Sequence, residues 1–218
     1  MFELLVQIGD LRGRRVLEVG CGTGTFAVAL AERARVWAID ATPEMIEVAR
    51  RRDVARRVGW RVADAEALPF RDAWFERVVM RLVVHLLDRP RAFAEARRIV
   101  GPDGRLAIAT FDPSHFDRYW LNRLFPSLER IDRERFPFPS QLEGELLESG
   151  FHEIESMRLS QSADTPRETA LEKISGRHIS TFDLIDDSEF EAGLERAAHE
   201  LPERVPISLE WVIAVATL

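Results

Sequence analysis

The amino-acid sequence predicts an α/β fold with a doubly wound sheet, in which helices cover both faces of mainly parallel strands. Between residues 15 and 110, short strand-like runs alternate with helix-like segments, the order typical of parallel sheets. The first run ends in a series of glycines, and the fourth, 77–84, is almost continuously apolar, as expected of a central buried strand. The sequence has no internal repeat, and we expect a single domain, 1–218.

The first three predicted strands are short and are separated by segments with helical character. Arg15–Val19 is the first strand, and a helix with an apolar face follows over 23–33. The second strand, 36–39, ends at Asp40, and Thr42 is placed to cap the next helix. The third predicted strand is 60–63.

The fourth and fifth predicted strands enclose a well-marked helix. Asp88 is placed to cap this helix and Gly101 to end it. A turn over 102–104 then leads into the fifth strand, 105–110. The alternation of strands and helices is therefore complete at residue 110.

The C-terminal half departs from this alternation. Residues 111–139 are rich in aromatic residues and prolines, and a short helix is predicted over 116–128. A second helical segment is predicted over 165–201, with a capping box that begins at Ser188. We expect 111–139 and 165–205 to be helical cap insertions among the last strands.

Two more strands are predicted in this half. A capping box at Ser140 begins a helix that Gly150 ends, and a strand follows over 154–159. The chain closes on an apolar run, 211–217, which is predicted to be an edge or near-edge strand.

Composition and charge argue against several classes of partner. The net charge is −7, and an acidic surface repels the phosphate backbone of nucleic acids. No apolar run approaches the roughly 18 residues that span a bilayer. Cys21 is the only cysteine, which excludes an internal disulfide and a cysteine-based metal cluster. We therefore expect a cytoplasmic protein without a metal site, and with neither nucleic acid nor a membrane as its partner.

The glycine-rich turn after the first strand carries the clearest functional signal. Glycines adopt positive φ and have no Cβ, so a ligand can approach the backbone closely. Asp40 lies 20 residues after Gly20, where a carboxylate can accept hydrogen bonds from both hydroxyls of a ribose. Residues 22–27 also satisfy the G-x-G-x-x-A fingerprint of dinucleotide sites. From these residues alone, a nicotinamide enzyme stays open beside other enzymes that use an adenosine-bearing cofactor.

Further segments at matching spacing narrow this choice. They are VLEVGCGTGTFAVAL (16–30), VWAIDATPEMIEVAR (36–50), RVADAEALPF (61–70), RVVMRLVVHLL (77–87) and IVGPDGRLAIAT (99–110). Together they resemble the class I S-adenosylmethionine-dependent methyltransferases, in particular the methyltransferase type 11 group of small-molecule enzymes. The Asn/Asp-Pro-Pro-Tyr/Phe motif of enzymes that methylate amino groups of bases or proteins is absent after the fourth strand.

The resemblance implies a Rossmann-like sheet of seven strands with the last strand antiparallel, and a cofactor-binding core over 15–110. It implies S-adenosyl-L-methionine as the cofactor, S-adenosyl-L-homocysteine as the product and a small molecule as the methyl acceptor. Glu18 is expected to bind the amino group of the cofactor's methionine part, Asp64 to bind the adenine amino group, and Met45 to pack on adenine. The expected cofactor-binding residues are Glu18, Gly20, Cys21, Gly22, Gly24, Asp40, Ala41, Met45, Asp64, Ala65, Arg81 and Leu82.

The acceptor side of the site is less clearly marked. His85 is expected at the end of the fourth strand, where it either acts as a general base or packs under the cofactor. A base is needed only if the acceptor must lose a proton. Five residues of the insertions either line an acceptor pocket or belong to the core and surface of the cap: His115, Tyr119, Trp120, Arg177 and His178.

Two other functions stay open beside methyl transfer. One is an NAD(P)-dependent oxidoreductase, and the other is a non-catalytic protein that binds S-adenosylmethionine. The chain also departs from the family pattern, since only about 14 residues precede the first strand and Asp103 replaces a glycine of the fifth-strand turn. We therefore expect that the inserted helices close over the cofactor, or that the start of the chain is trimmed.

Overall fold

The structure, a computed structural model, describes all residues from Met1 to Leu218. Its strands form one seven-stranded sheet in the order β3-β2-β1-β4-β5-β7-β6, and the last strand is antiparallel, which confirms the predicted fold class. Neighbouring strands among the first five in the chain pair in parallel. The strands are β1 Arg15–Val19, β2 Arg35–Asp40, β3 Val58–Val62, β4 Phe75–Arg81, β5 Val100–Phe111, β6 His152–Pro166 and β7 Arg204–Thr217.

Eight α-helices and three short 3₁₀ segments connect the strands. Asp88 accepts a hydrogen bond from the Arg91 N–H at 3.3 Å, so the predicted cap of the helix after β4 is confirmed. Thr42 stands at the predicted cap position of the preceding helix but makes no capping hydrogen bond with its side chain. The helices are α1 Phe2–Ile8, α2 Thr25–Leu30, α3 Pro43–Arg52, α4 Arg89–Ile99, α5 Ser127–Arg135, α6 Pro139–Glu148, α7 Arg167–Ser175 and α8 Asp187–Glu200, and the 3₁₀ segments are Val84–Leu86, Pro113–Arg118 and Ser180–Leu184.

The strand order reverses direction at β1, and this fixes where a ligand can bind. From β1 the chain adds β2 and β3 on one side, and it then returns to add β4 and β5 on the other. Val19 at the end of β1 pairs with Ile39 of β2 and with Met80 of β4. In open α/β sheets, ligands bind beyond the carboxyl ends of the strands at such a switch point.

The chain forms two compact units, each with its own apolar core. The first unit comprises 1–110, 139–157 and 212–218, and the second comprises 111–138 and 158–211. In the first, buried residues of β1, β4, β5 and α4 form the main cluster. In the second, the rings of Phe125, Phe182 and Phe190 pack with centroids 4.9 to 6.0 Å apart. The assignment of a single domain with two cap insertions stays a prediction.

Two predictions around β4 are wrong. The strand ends at Arg81 rather than at residue 84, because Leu82 adopts a left-handed backbone with φ of +51° and the chain turns into the 3₁₀ segment Val84–Leu86. His85 therefore lies on this segment and not on the strand. The turn predicted over 102–104 is instead a bulge within β5, since Phe75 pairs with Val100 while Arg77 already pairs with Arg105.

The predicted helix over 116–128 is also wrong. Pro126 stands at the N-cap of α5, and a proline there excludes a continuous helix through the residues before it. The chain instead forms the 3₁₀ segment Pro113–Arg118, and α5 begins at Ser127.

Both predicted capping boxes in the C-terminal half begin inside their helices. Helix α6 starts at Pro139, and α8 has Asp186 as its N-cap without a side-chain capping bond, so Ser140 and Ser188 lie within first turns. The last two strands are longer than predicted. The second helical segment runs from the start of α7 to the end of α8, 167–200, close to the predicted 165–201.

Candidate active site

The glycine turn, residues 20–24, follows β1 at the switch point of the sheet. Gly20 has φ of +69°, and a Cβ at this position would overlap the Val83 side chain. Gly24 has φ of +75°, and a Cβ there would lie 2.5 Å from Cη2 of Trp60. Only glycine combines this backbone with so close an approach. The turn therefore packs against the segment after β4 on one side and against β3 on the other.

Asp40 fixes the turn to the end of β2. Its carboxylate accepts the Gly22 N–H at 2.8 Å and the Thr42 N–H at 3.0 Å, each on a different oxygen. The Cys21 N–H donates to the Ile39 carbonyl at 2.9 Å, which closes the turn onto the same strand. A carboxylate oxygen can accept more than one hydrogen bond, so each oxygen of Asp40 keeps capacity for a ligand hydroxyl.

Glu18 is a buried carboxyl group beside this turn, with only 1% of its surface exposed. Neither oxygen has a hydrogen-bond partner of standard geometry. Burial raises the pKa of Glu18 to about 8, although the Arg81 charge and the Ala27 amide act in the opposite direction. A buried acid without a partner is costly, and a cationic ligand group would relieve that cost.

Arg81 ends β4, next to the glycine turn. Its guanidinium carbon lies 5.8 Å from the centroid of the Phe26 ring, close enough for a cation–π contact. Its Nε is buried and has no hydrogen-bond partner. Leu82, the next residue, is held in its left-handed conformation by a hydrogen bond from its N–H to the Ala109 carbonyl at 2.8 Å.

Four residues are expected around adenine. Two of them, Asp64 and Ala65, follow β3 in a segment that begins beside Asp40. The Ala63 N–H donates to the Asp40 carbonyl at 3.0 Å, which brings the start of this segment to the end of β2. Asp64 accepts the Glu66 N–H at 2.9 Å, and Ala65 is buried in the core of the first unit. The other two expected residues, Ala41 and Met45, are exposed on the surface that follows β2.

Two further residues of the site carry titratable groups, Cys21 and His85. Cys21 is buried, and burial raises the pKa of its thiol, so the reactive thiolate is disfavoured at neutral pH. His85 is half-buried on the 3₁₀ segment, four residues after Arg81. Its action as a general base stays a prediction.

The candidate acceptor residues of 111–139 belong to the second unit and form an aromatic cluster there. The His115 ring lies 4.4 Å from that of Phe111 and 4.8 Å from that of Tyr119, between ring centroids. Burial lowers the pKa of His115 to about 4 and raises the pKa of the Tyr119 hydroxyl, so both groups are neutral at pH 7. Trp120 is half-buried and packs on the core of the same unit.

Arg177 and His178 also lie in the second unit, at the end of α7. Arg177 donates to the Phe182 carbonyl and pairs with Asp187, both at 2.8 Å. Its guanidinium carbon stands 3.9 Å from the centroid of the Phe190 ring. The His178 N–H donates to a carbonyl of α7, and the residue is exposed. A role of either residue in acceptor binding stays a prediction.

Sequence reasoning did not identify Val83 and Trp60 as parts of the site. Both are in close contact with glycines of the turn, and their size sets how tightly it packs. The contact with Val83 could have been predicted, because β1 and β4 pair in parallel and the residues that follow the two strands therefore lie side by side. For Trp60 no local pattern indicates the contact.

Comparison with known proteins identifies the family. The family described as "Methyltransferase domain" matches residues 17–108. A demethylmenaquinone methyltransferase of Thermus thermophilus is 31% identical over 163 residues, which are 63% of this chain and 74% of the relative. An O-methyltransferase of Aspergillus nomiae is 32% identical over 160 residues, 69% of this chain and 68% of the relative. The chain belongs to the class I S-adenosylmethionine-dependent methyltransferases.

A solved structure agrees with the fold of the methyltransferase. It is described as a methyltransferase from an antibiotic biosynthesis pathway of Anabaena variabilis, and it is 24% identical with a TM-score of 0.79. The alignment covers 100% of this chain and 96% of that one. Three other curated relatives are matched over a smaller part of their length. This chain spans 44% of one of them and 57% of each of the other two.

S-adenosylmethionine is the cofactor of this family, and the residues of the site fit it. Asp40 offers acceptors for ribose hydroxyls, and Glu18 offers a buried carboxyl group that a bound ammonium group would keep ionised. No group of three or more His, Cys, Asp or Glu side chains is placed to hold a metal ion. None of the helices has both the length and the apolar character that a membrane span requires.

Proposed function

We propose that this methyltransferase transfers a methyl group from S-adenosylmethionine to a small-molecule acceptor and releases S-adenosylhomocysteine. The observation that carries the proposal is the pair of acids at the switch point of the sheet. Asp40 holds the glycine turn and keeps acceptor capacity, while Glu18 is buried without a partner. One acid suits the ribose of the cofactor and the other the ammonium group of its methionine part.

The rest of the cofactor fits the surrounding residues. Asp64 is proposed to bind the adenine amino group, and the backbone of Ala65 the edge of the ring. Met45 is 40% exposed, and adenine would cover this apolar side chain. Gly22 has a positive φ, and no atom lies within 4 Å of where its Cβ would stand, so the backbone of the turn is open there to the methionine part.

When bound, the cofactor supplies a methyl group activated by a sulfonium ion. The protein then has to align the acceptor and exclude water. His85 is proposed to take a proton from an acceptor that must lose one, such as a phenol or a carbon acid. The names of the two relatives, an O-methyltransferase and a demethylmenaquinone methyltransferase, support acceptors of this kind.

The aromatic cluster of the second unit supports a partly apolar acceptor. Tyr119 and Trp120 are half-buried and offer ring surface, and the buried His115 packs against the Tyr119 ring. His115 and Tyr119 are neutral at pH 7. The single cysteine and the net charge of −7 support a cytoplasmic enzyme whose partner is a small molecule rather than nucleic acid.

Transfer of a labelled methyl group tests this proposal. The protein is incubated with methyl-labelled S-adenosylmethionine and a panel of phenols, quinols and carboxylic acids, and labelled products and S-adenosylhomocysteine are measured. We expect equal amounts of both products with at least one acceptor class. Binding of S-adenosylhomocysteine without turnover of any acceptor would favour the non-catalytic alternative, and preferential binding of NADH would favour the oxidoreductase.

Substitution of Asp40 tests the site itself. Asp40→Ala removes the ribose acceptors and the bond that holds Gly22, so we expect affinity for S-adenosylhomocysteine to fall at least about tenfold in calorimetry. Asp183→Ala, at an exposed acid of the second unit, serves as the matched control and should bind like wild type. Equal affinity of the two variants would contradict the assignment.

A further inference from the structure

Asp53 is a buried acid at the C-terminal end of α3, and the site described above does not use it. Only 3% of its surface is exposed. Its Oδ1 accepts the Arg57 N–H at 3.0 Å, and its Oδ2 accepts the Val58 N–H at 2.9 Å and the indole N–H of Trp60 at 3.1 Å. Burial alone would raise the pKa of Asp53, but these hydrogen bonds outweigh burial and keep its pKa below the usual value. Asp53 is therefore an anion at neutral pH, and its hydrogen bonds are charge-assisted.

The hydrogen bond to Trp60 differs from the other two. The amides of Arg57 and Val58 belong to the short connection from α3 to β3, so those two bonds shape the chain locally. Trp60 lies on β3, and its indole has a single N–H group that can only donate. The bond to Asp53 therefore fixes the orientation of a large ring that the backbone alone does not orient.

The Trp60 ring forms one wall of the slot that holds Gly24. A Cβ at Gly24 would lie 2.5 Å from Cη2 of Trp60 and 2.8 Å from the Cβ of Ala49 on α3. Gly24 is the last residue of the glycine turn and the N-cap of α2. Nε1 and Cη2 belong to one rigid ring, so the bond that holds the first atom also places the second. The orientation of the indole thus limits where the end of the glycine turn can lie.

Two arginines at the same end of α3 hold the same region. Arg52 donates from Nε to the Thr23 carbonyl of the glycine turn at 3.0 Å, and Arg50 donates to the Trp60 carbonyl at 3.3 Å. Both bonds are exposed to solvent, so we expect the buried carboxylate of Asp53 to contribute more. The end of α3 thus contacts the glycine turn directly and also orients the ring that packs on it.

We propose that Asp53 is a positioning residue for cofactor binding. It orients Trp60, and Trp60 holds the end of the glycine turn in the conformation that binds the cofactor. Asp53 acts through the indole ring rather than by touching the ligand. This inference rests on the proposed function, since the ligand concerned is the proposed cofactor.

A double-mutant cycle tests the inference, with the calorimetric affinity for S-adenosylhomocysteine as its readout. Asp53→Ala removes the acceptor, and Trp60→Phe keeps a ring but removes the N–H. Each should weaken binding about five- to tenfold, the range of a lost hydrogen bond. Because both changes break the same link, the double variant should bind at most about twofold more weakly than the weaker single variant. Asp53→Asn keeps an oxygen that can accept the indole N–H, and it should bind within about threefold of wild type.

Glu76→Ala is the matched control. Glu76 is a half-buried acid that also accepts a backbone amide, the Arg15 N–H at 2.9 Å. It lies near the amino ends of β1 and β4, at the opposite edge of the sheet from the glycine turn. We expect this variant to unfold at a lower temperature than wild type and to bind within about twofold of it. The thermal unfolding of every variant is recorded, and binding is measured well below each midpoint.

Two results would overturn the inference. Wild-type affinity in Trp60→Phe, or effects of the two changes that multiply in the double variant, would show that Asp53 does not act through Trp60 while leaving the proposed function intact. If Asp53→Ala does not fold, Trp60→Phe and Asp53→Asn decide, and a Trp60→Phe variant that binds like wild type overturns the inference. Wild type that does not bind S-adenosylhomocysteine would overturn the proposed function as well.

Discussion

Cofactor binding should depend on pH through a single group, Glu18. Burial raises the pKa of this carboxyl to about 8 in the free protein. Its neutral form cannot pair with the ligand's ammonium group as an anion, so binding must remove the proton first. At pH 6 only about 1% of the free protein has Glu18 ionised, against about half at pH 8.

The size of the change in affinity with pH follows from the titration of Glu18. Each pH unit below the pKa costs binding about 1.4 kcal/mol, so the affinity for S-adenosylhomocysteine should rise about tenfold per unit from pH 6 and level off near pH 8. The sign is fixed because the bound ligand favours the ionised carboxylate, so binding releases a proton. In Glu18→Gln no group titrates at this position, and the affinity should be nearly constant between pH 6 and pH 8.

Isothermal titration calorimetry in two buffers of different ionisation enthalpy measures both the affinity and the number of protons released on binding. For wild type we expect release of roughly one proton per ligand at pH 6.5, and for Glu18→Gln release of close to none. The affinities of the two proteins should converge at pH 6 and separate towards pH 8. A flat pH profile in wild type, or an equally steep one in Glu18→Gln, would refute the role given to this carboxyl.

Three more predictions concern stability and reactivity. Gly20→Ala should lower the free energy of unfolding in urea by about 2–4 kcal/mol, since it combines positive φ with a clash against Val83, whereas Gly144→Ala, on an open helix face, should raise it by about 0.5–1 kcal/mol. An equal effect of both would contradict the packing of the turn. The imidazole of His115 should titrate by NMR near pH 4, and because its pKa is depressed on folding, its contribution to stability should be lost as pH falls from 6.5 towards 4; a midpoint above 6 would contradict its burial. The Cys21 thiol should react with a disulfide reagent only when the protein unfolds, and rapid labelling of the native protein at pH 7 would show that the thiol is accessible.

The sequence allowed the first half of the sheet to be predicted because its signals are local. β1 is a compact apolar run closed by glycines, and its observed bounds match the predicted ones. Asp40 ends β2 as predicted, and Asp88 caps α4. In each of these cases a few neighbouring residues determine the structure, and periodicity and capping rules describe such cases well.

The errors arise where tertiary structure overrides local preference. Leu82 takes a left-handed backbone that leucine disfavours, and the strand ends there although apolar residues continue. The segment after Val100 contains proline and glycine and predicts a turn, but pairing with β4 accommodates it as a bulge. Strand β6 is mostly polar and exposed, so only its pairing in the sheet reveals its length.

The site, too, could be predicted only where local sequence determines it. The glycine turn and Asp40 could be located from spacing, and Glu18 and Arg81 were identified through the family resemblance. Their lack of partners could not be foreseen, because it depends on how Phe26 and the glycine turn pack around them. Burial and unsatisfied hydrogen-bonding groups are properties of the folded chain.

The pair of acids beside the glycine turn is proposed to hold S-adenosylmethionine for methyl transfer to a small molecule. Transfer of a labelled methyl group from the cofactor to small acceptors tests this with wild type and with Asp40→Ala. The cofactor concentration is set near the wild-type KM, so that a loss of cofactor affinity lowers the rate. We predict a labelled small-molecule product and an equal amount of S-adenosylhomocysteine with wild type, and a loss of at least about tenfold with the variant. Absence of labelled product from wild type across the panel, or equal rates for both proteins, would contradict the claim.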